Sequence, residues 1–213
     1  MPIPRTVAAA CGIVAPLAFV GAWLVGGLVT DGYDPLADAI SRLAREGAPT
    51  RALMTTGFVV FGLLLPMWAV RLGRELGSSA VRNAAVVAGL ATLGVALLPL
   101  TREGGQPQDV GHAVAAGIGY AAMALTPLLA VRPLRRLGYD RAAGTSLVVG
   151  ALSALALVGT VLVVDRSGGL QRLGLTVVDL WHVAAATWVL RRRPAGSTRA
   201  QDPGLGPGPG TRT

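Results

Sequence analysis

Only two histidines occur in the chain, and each follows an aspartate by three residues: Asp109-Val110-Gly111-His112 and Asp179-Leu180-Trp181-His182. On a helix, positions i and i+3 share a face, so each carboxylate and imidazole can converge. Such groups suit Zn, Fe or Mn, and imidazole also ligates haem. They also serve as polar sites inside transporters. The candidate site residues are therefore Asp179, His182, His112 and Asp109. Three readings follow: a metal- or haem-dependent membrane enzyme using both pairs, a transporter or ligand-binding bundle with a polar cavity, and a structural or partner-binding subunit.

The elements that position these residues follow from composition. The chain is 52% hydrophobic and 14% charged, with a mean hydropathy of +0.57. Soluble domains carry about 25% charged residues. The deficit lies in six long apolar stretches, roughly 6–29, 52–70, 83–100, 110–131, 142–164 and 173–190, and the only Asp, Glu or Arg within them is Asp179. Each stretch meets or approaches the ~20 residues that cross a ~30 Å hydrocarbon core. Lipid offers no hydrogen bonds to the backbone, so these stretches must be helices. The expected fold is all-α, a polytopic bundle of six transmembrane helices over residues 1–193. The remaining 194–213, rich in Pro and Gly and nearly free of apolar residues, is expected to be a disordered tail.

All 19 basic residues are arginines, and the net charge is +8. They cluster at alternate ends of the spans, most heavily on the side of the two termini. By the positive-inside bias both termini face the cytoplasm, with anionic lipid headgroups as the partner of those arginines. Nucleic acid is not an expected partner, because no interleaved aromatic or phosphate-binding Gly-rich motif accompanies the charge. Arginine without lysine, in an Ala/Gly/Val/Leu background, points to a bacterial plasma membrane. One cysteine, Cys11, excludes an intramolecular disulfide framework. Walker-type, GxSxG and HExxH motifs are absent, so no cofactor is expected.

Small residues recur at four-residue spacing: Ala18, Ala22 and Gly26 in the first span, and Ser146, Gly150 and Ala154 in the fifth. Such stripes let helix backbones approach closely. The fourth span carries Gly111, Ala115 and Gly119 on one face and Ala113, Gly117 and Ala121 on another, which places it centrally. Pro16, Pro66 and Pro127 predict local kinks. In the long first loop, Asp34 and Pro35 read as N-cap and first helical position. Leu36, Ile40 and Leu43 then predict a short amphipathic helix on the outer side.

Three phrases, GYDPLADAISRLAREGAP, PLTREGGQPQDVGHAVAAGIGY and GGLQRLGLTVVDLW, together resemble the six-helix bacterial membrane proteins of domain of unknown function 998. The resemblance covers nearly the whole chain up to the arginine cluster. It implies the six-helix architecture and carries no activity or catalytic residues.

Depth separates the two Asp–His pairs. Counted at ~1.5 Å per residue from the starts of their spans, His112 lies ~3 Å deep, Asp179 ~9 Å and His182 ~13–14 Å. A single metal between the histidines would require a two-turn stagger, so no metal is expected. Asp109 reads as an acidic cap on a helix dipole and His112 as an interfacial polar residue. Asp179 is the exceptional residue: an ionisable group inside a span costs ~2.5–3.5 kcal/mol and usually faces the bundle or a wet cavity. Asp179, His182 and His112 are accordingly expected around an outward-facing polar cavity, covered by the first loop.

Overall fold

A computed structural model describes residues 3–192. The predicted tail at 194–213 lies outside the described residues. Six helices account for most of them: α1 (Arg5–Val29), α2 (Arg51–Glu75), α3 (Ser79–Leu97), α4 (Pro107–Arg136), α5 (Asp140–Leu162) and α6 (Ser167–Arg191). All six are long and apolar enough to cross a membrane, and the chain is a multi-pass membrane protein. The apolar exterior agrees with lipid as solvent: Leu97 is 80% exposed and Leu162 75%.

Helix ends follow local chemistry rather than the apolar counts. α2 and α4 continue about a turn beyond their apolar stretches, carrying Arg71, Arg74, Arg135 and Arg136. A helix satisfies its backbone equally well in the headgroup region, so charge alone does not stop it. α3 ends at Leu97, two residues before Pro99, where the pre-proline restriction disfavours further helix. The turns after α2 and α4 place Gly77 and Gly138 at φ +60° and +78°. In each, an amide reaches back five residues, Ser78 N–H to the Gly73 carbonyl at 2.8 Å and Tyr139 N–H to the Leu134 carbonyl at 2.9 Å. These are glycine C-caps, which explains how connections this short reverse the chain.

Each helix packs against its sequence neighbours, and α6 closes the ring on α1. α6 also touches α2 and α4 across the interior. α2 and α3 approach through a reciprocal glycine contact: a Cβ on Gly62 would fall 2.9 Å from the Gly89 carbonyl oxygen, and one on Gly89 3.1 Å from that of Gly62. The core runs down the bundle through Phe19, Phe58, Phe61, Leu65, Trp68 and Leu72.

Two expectations need correction. α4 is a ring member rather than the central helix, and Ala113, Gly117 and Ala121 face outward. Small residues deepen grooves as readily as they allow contacts, and Ala113 and Gly117 line an opening. The first loop also forms no amphipathic α-helix from Asp34. Residues 35–38 make turns, Ala39 is extended, and only Ile40–Ala44 coils, as a 3₁₀ turn. Tertiary partners take the groups a helix would use: Ile40 N–H donates to Gln171 Oε1 at 2.9 Å, and Arg172 takes the Pro35 and Asp38 carbonyls. Ile40 and Leu43 are buried as their spacing suggests, while Leu36 is exposed.

Candidate functional site

The bundle has a terminal end, with Arg5, Glu75, Tyr139 and Arg192, and a long-loop end closed by residues 31–50. Asp109 and His112 belong to the long-loop end. The Asp109 carboxylate accepts Thr101 N–H at 2.8 Å, Thr101 Oγ1–H at 2.7 Å and Gln106 N–H at 2.9 Å. It caps α4 and ties down the α3–α4 loop, so its acceptor capacity is used locally. One turn later, His112 Nδ1 lies 2.7 Å from the Leu98 carbonyl oxygen. A carbonyl only accepts, so Nδ1 carries a proton, and in the neutral ring Nε2 is left as an acceptor.

Asp179 and His182 lie deeper, on the interior face of α6. Trp68 Nε1–H donates to His182 Nδ1 at 3.1 Å. An indole only donates, so this ring is neutral with its proton on Nε2. The two histidines are thus opposite tautomers. His182 Nε2 and both Asp179 oxygens are buried without a hydrogen-bond partner among the described residues. His112 lies about one turn into α4 and His182 about four turns into α6, both helices running from the long-loop end. Among the described residues no three His, Cys, Asp or Glu side chains gather as metal ligands.

His112 joins a different set of residues. A chamber of about 40 Å³ lies between the core aromatics and α4, with Phe19, Phe58, Phe61, Met123 and Leu175 among its walls. A wider cavity of about 370 Å³ opens between α4, α5 and α6 at the long-loop end. Both are lined by Ser41, His112, Ala116, Tyr120 and Gln171, which form a shared boundary, here called the neck. Gln171 organises this neck: its Oε1 accepts from Ile40 N–H, and its Nε2 donates to the Tyr120 hydroxyl. Thr160 and Ser167 add hydroxyls to the wider cavity, and no Asp, Glu or Arg among the described residues lines either space. Asp179 and His182 line neither.

The loop over this end is held by Arg172, which is buried without a carboxylate partner among the described residues. Its Nη1 donates to the carbonyls of Pro35, Asp38 and Gly168 at 2.7–2.9 Å, and its Nη2 to the Tyr33 hydroxyl. The guanidinium also lies 5.3 Å from the ring centroids of both Trp23 and Tyr33. Burial pushes the Tyr33 phenol above its usual range, against the opposing pull of Arg172. Gly168 permits the contact, since a Cβ there would clash with the Asp38 carbonyl oxygen.

Residues 13–188 match the family model described as "Protein of unknown function (DUF998)". The chain belongs to this family. The matched region contains both cavities, Arg172 and both Asp–His pairs of this DUF998 protein. No curated protein and no solved structure matches the chain.

The sequence pointed to His112 as a site residue. It offered no reason to single out Tyr120 or Gln171. Tyr120 carried a weak signal, as a hydrogen-bonding side chain inside the fourth stretch, where such groups favour the bundle interior, whereas Gln171 falls just before the sixth stretch and enters a helix only because α6 begins at Ser167.

Proposed function

We propose that this DUF998 protein binds a membrane-dissolved amphiphile with a neutral, hydrogen-bonding headgroup at the long-loop end of the bundle. The observation that carries the reading is the neck shared by the two cavities. It combines a ring acceptor (His112 Nε2), hydroxyls (Ser41, Tyr120) and an amide (Gln171) with an apolar chamber on one side and a wider opening on the other. Ligand sites are largely apolar with a few convergent polar groups, as here. A lining without charged side chains among the described residues favours an uncharged head, such as the glycerol of a monoacylglycerol. On α6 the interior face continues from Gln171 through Leu175 to Asp179 and His182, which lie deeper and outside both cavities.

The proposal includes an orientation in a bacterial plasma membrane with both termini cytoplasmic, which the arginine bias supports. The cavity then opens toward the outer leaflet.

A photoactivatable monoacylglycerol in vesicles tests this reading. Its adducts are expected on α4 and α6 near Ala116 and Gln171. A Gly117→Trp change at the opening should abolish them, and His112→Leu should reduce them about tenfold, the loss of one buried hydrogen bond. Adducts spread evenly over the lipid-facing surface, unaffected by Gly117→Trp, would sink the proposal.

A further inference from the structure

A second groove lies at the opposite end of the bundle and shares no residue with the neck. It measures about 250 Å³ and runs between α5 and α6, with Leu72, Leu76 and Leu134 behind it. Its form follows from a seven-residue interval on α6. Trp181 and Trp188 stand two turns apart, ~10.5 Å along the axis, and between them Ala184 and Ala185 leave a trough. The trough opens sideways, because Ala142, Thr145 and Ala184 on its rim are exposed on the bundle surface. Trp181 is fixed by its indole N–H, which donates to Ser146 Oγ at 2.8 Å.

The end of the groove is cationic. The Arg192 guanidinium lies 4.5 Å from the Trp188 ring centroid and 5.4 Å from that of Tyr139. Its nearest acid, Glu75, is 4.0 Å away and also faces Arg5 at 3.4 Å and Arg71. One carboxylate shared by three guanidinium groups leaves net positive charge beside the groove. Among the described residues the terminal end carries ten arginines against Glu75 and Asp140, whereas the long-loop end carries six against seven acids. We infer that this groove holds one acyl chain of an anionic glycerophospholipid, its phosphate at Arg192 and its chain along Ala184 between the two indoles. Indole faces and alanine give the chain apolar contact, and the charge excess selects the headgroup.

Tryptophan quenching by brominated lipid tests the site. In a Trp23→Phe background, Trp68 is fully buried and only Trp181 and Trp188 meet lipid. In phosphatidylcholine nanodiscs, brominated phosphatidylglycerol should quench more strongly than brominated phosphatidylcholine at equal mole fraction. Arg192→Gln should lower that preference about fivefold, and Ala184→Phe, which fills the trough, should remove it. Equal quenching by the two lipids in the parent protein overturns the inference, as does an anionic preference that survives Ala184→Phe. The two-lipid comparison needs no variant beyond the background, so it decides the matter even where a further variant misfolds. Photolabelling at the neck is unaffected by either result.

Discussion

The indole of Trp68 on α2 donates its N–H to Nδ1 of His182 on α6 at 3.1 Å, joining two helices that are not sequence neighbours. The contact fixes the neutral tautomer of a fully buried histidine and leaves Nε2–H facing the interior, unpartnered among the described residues. Interhelical hydrogen bonds in membranes average ~0.6 kcal/mol and reach ~1.7. Trp68→Phe keeps most of the apolar bulk and strands Nδ1, so it should lower unfolding stability by ~1–2 kcal/mol. Added to His182→Leu it should cost little more, because the bond is already gone. Additive losses in a denaturant series on both single variants and the double would show that the bond contributes nothing.

Asp179 predicts the opposite sign. Both its oxygens are buried and unpartnered among the described residues, and an ionisable group at such depth costs ~2.5–3.5 kcal/mol on insertion scales. Asp179→Leu should therefore leave the bundle folded and raise its stability, by ~1 kcal/mol or more once packing adjusts. Asp179→Asn should be close to neutral. A loss above ~1 kcal/mol in either variant would mean that the carboxyl has a partner which its surroundings do not reveal. If stability rises while photolabelling of the neck falls, Asp179 is retained for the ligand rather than for the fold.

The contrast between these residues explains what could be read from the sequence. Six helices were legible because lipid enforces them: an apolar stretch of sufficient length has one way to satisfy its backbone. The burial of Asp179 was legible for the same reason. The identical spelling of the two Asp–His phrases carried no information about partners. Asp109 is used by Thr101 and Gln106, His112 by Leu98, and His182 by Trp68, each from a segment distant in sequence or in a loop. The first loop departs from the helix its pattern predicts for a related reason. Its amphipathic spacing was real, but Gln171 and Arg172 lie about 130 residues away and take the hydrogen bonds that a helix would have kept.

That competition makes the loop depend on one side chain. Arg172 takes three carbonyls through Nη1 and a phenol through Nη2, whereas a lysine ammonium is a single nitrogen that ends one bond short of both positions and cannot hold both sets. Arg172→Lys should therefore loosen residues 35–39 almost as much as Arg172→Ala. Faster amide exchange over that segment, with α2 and α3 unchanged, is the expected signature. Gly168→Ala should give the same pattern with the arginine intact, because its new methyl displaces the Asp38 carbonyl. Protection of residues 35–39 retained in Arg172→Lys would assign the loop's rigidity to Ile40 and Leu43 instead.

Orientation can be settled with two cysteines. Cys11 is buried within α1, so Cys11→Ala gives a silent background. Ala48 lies in the long loop before α2, and Ser79 is exposed at the first position of α3 on the terminal end. Ser79 serves better than Ser78, whose hydroxyl accepts the Val81 N–H and caps the helix. With both termini cytoplasmic, an impermeant maleimide should label Ala48→Cys in intact cells and reach Ser79→Cys only after permeabilisation. The reverse pattern would turn the neck toward the cytoplasm and place the Arg192 groove in the outer leaflet. That outcome would require a source of anionic lipid on the outer side, so the labelling experiment constrains the lipid inference as well as the topology.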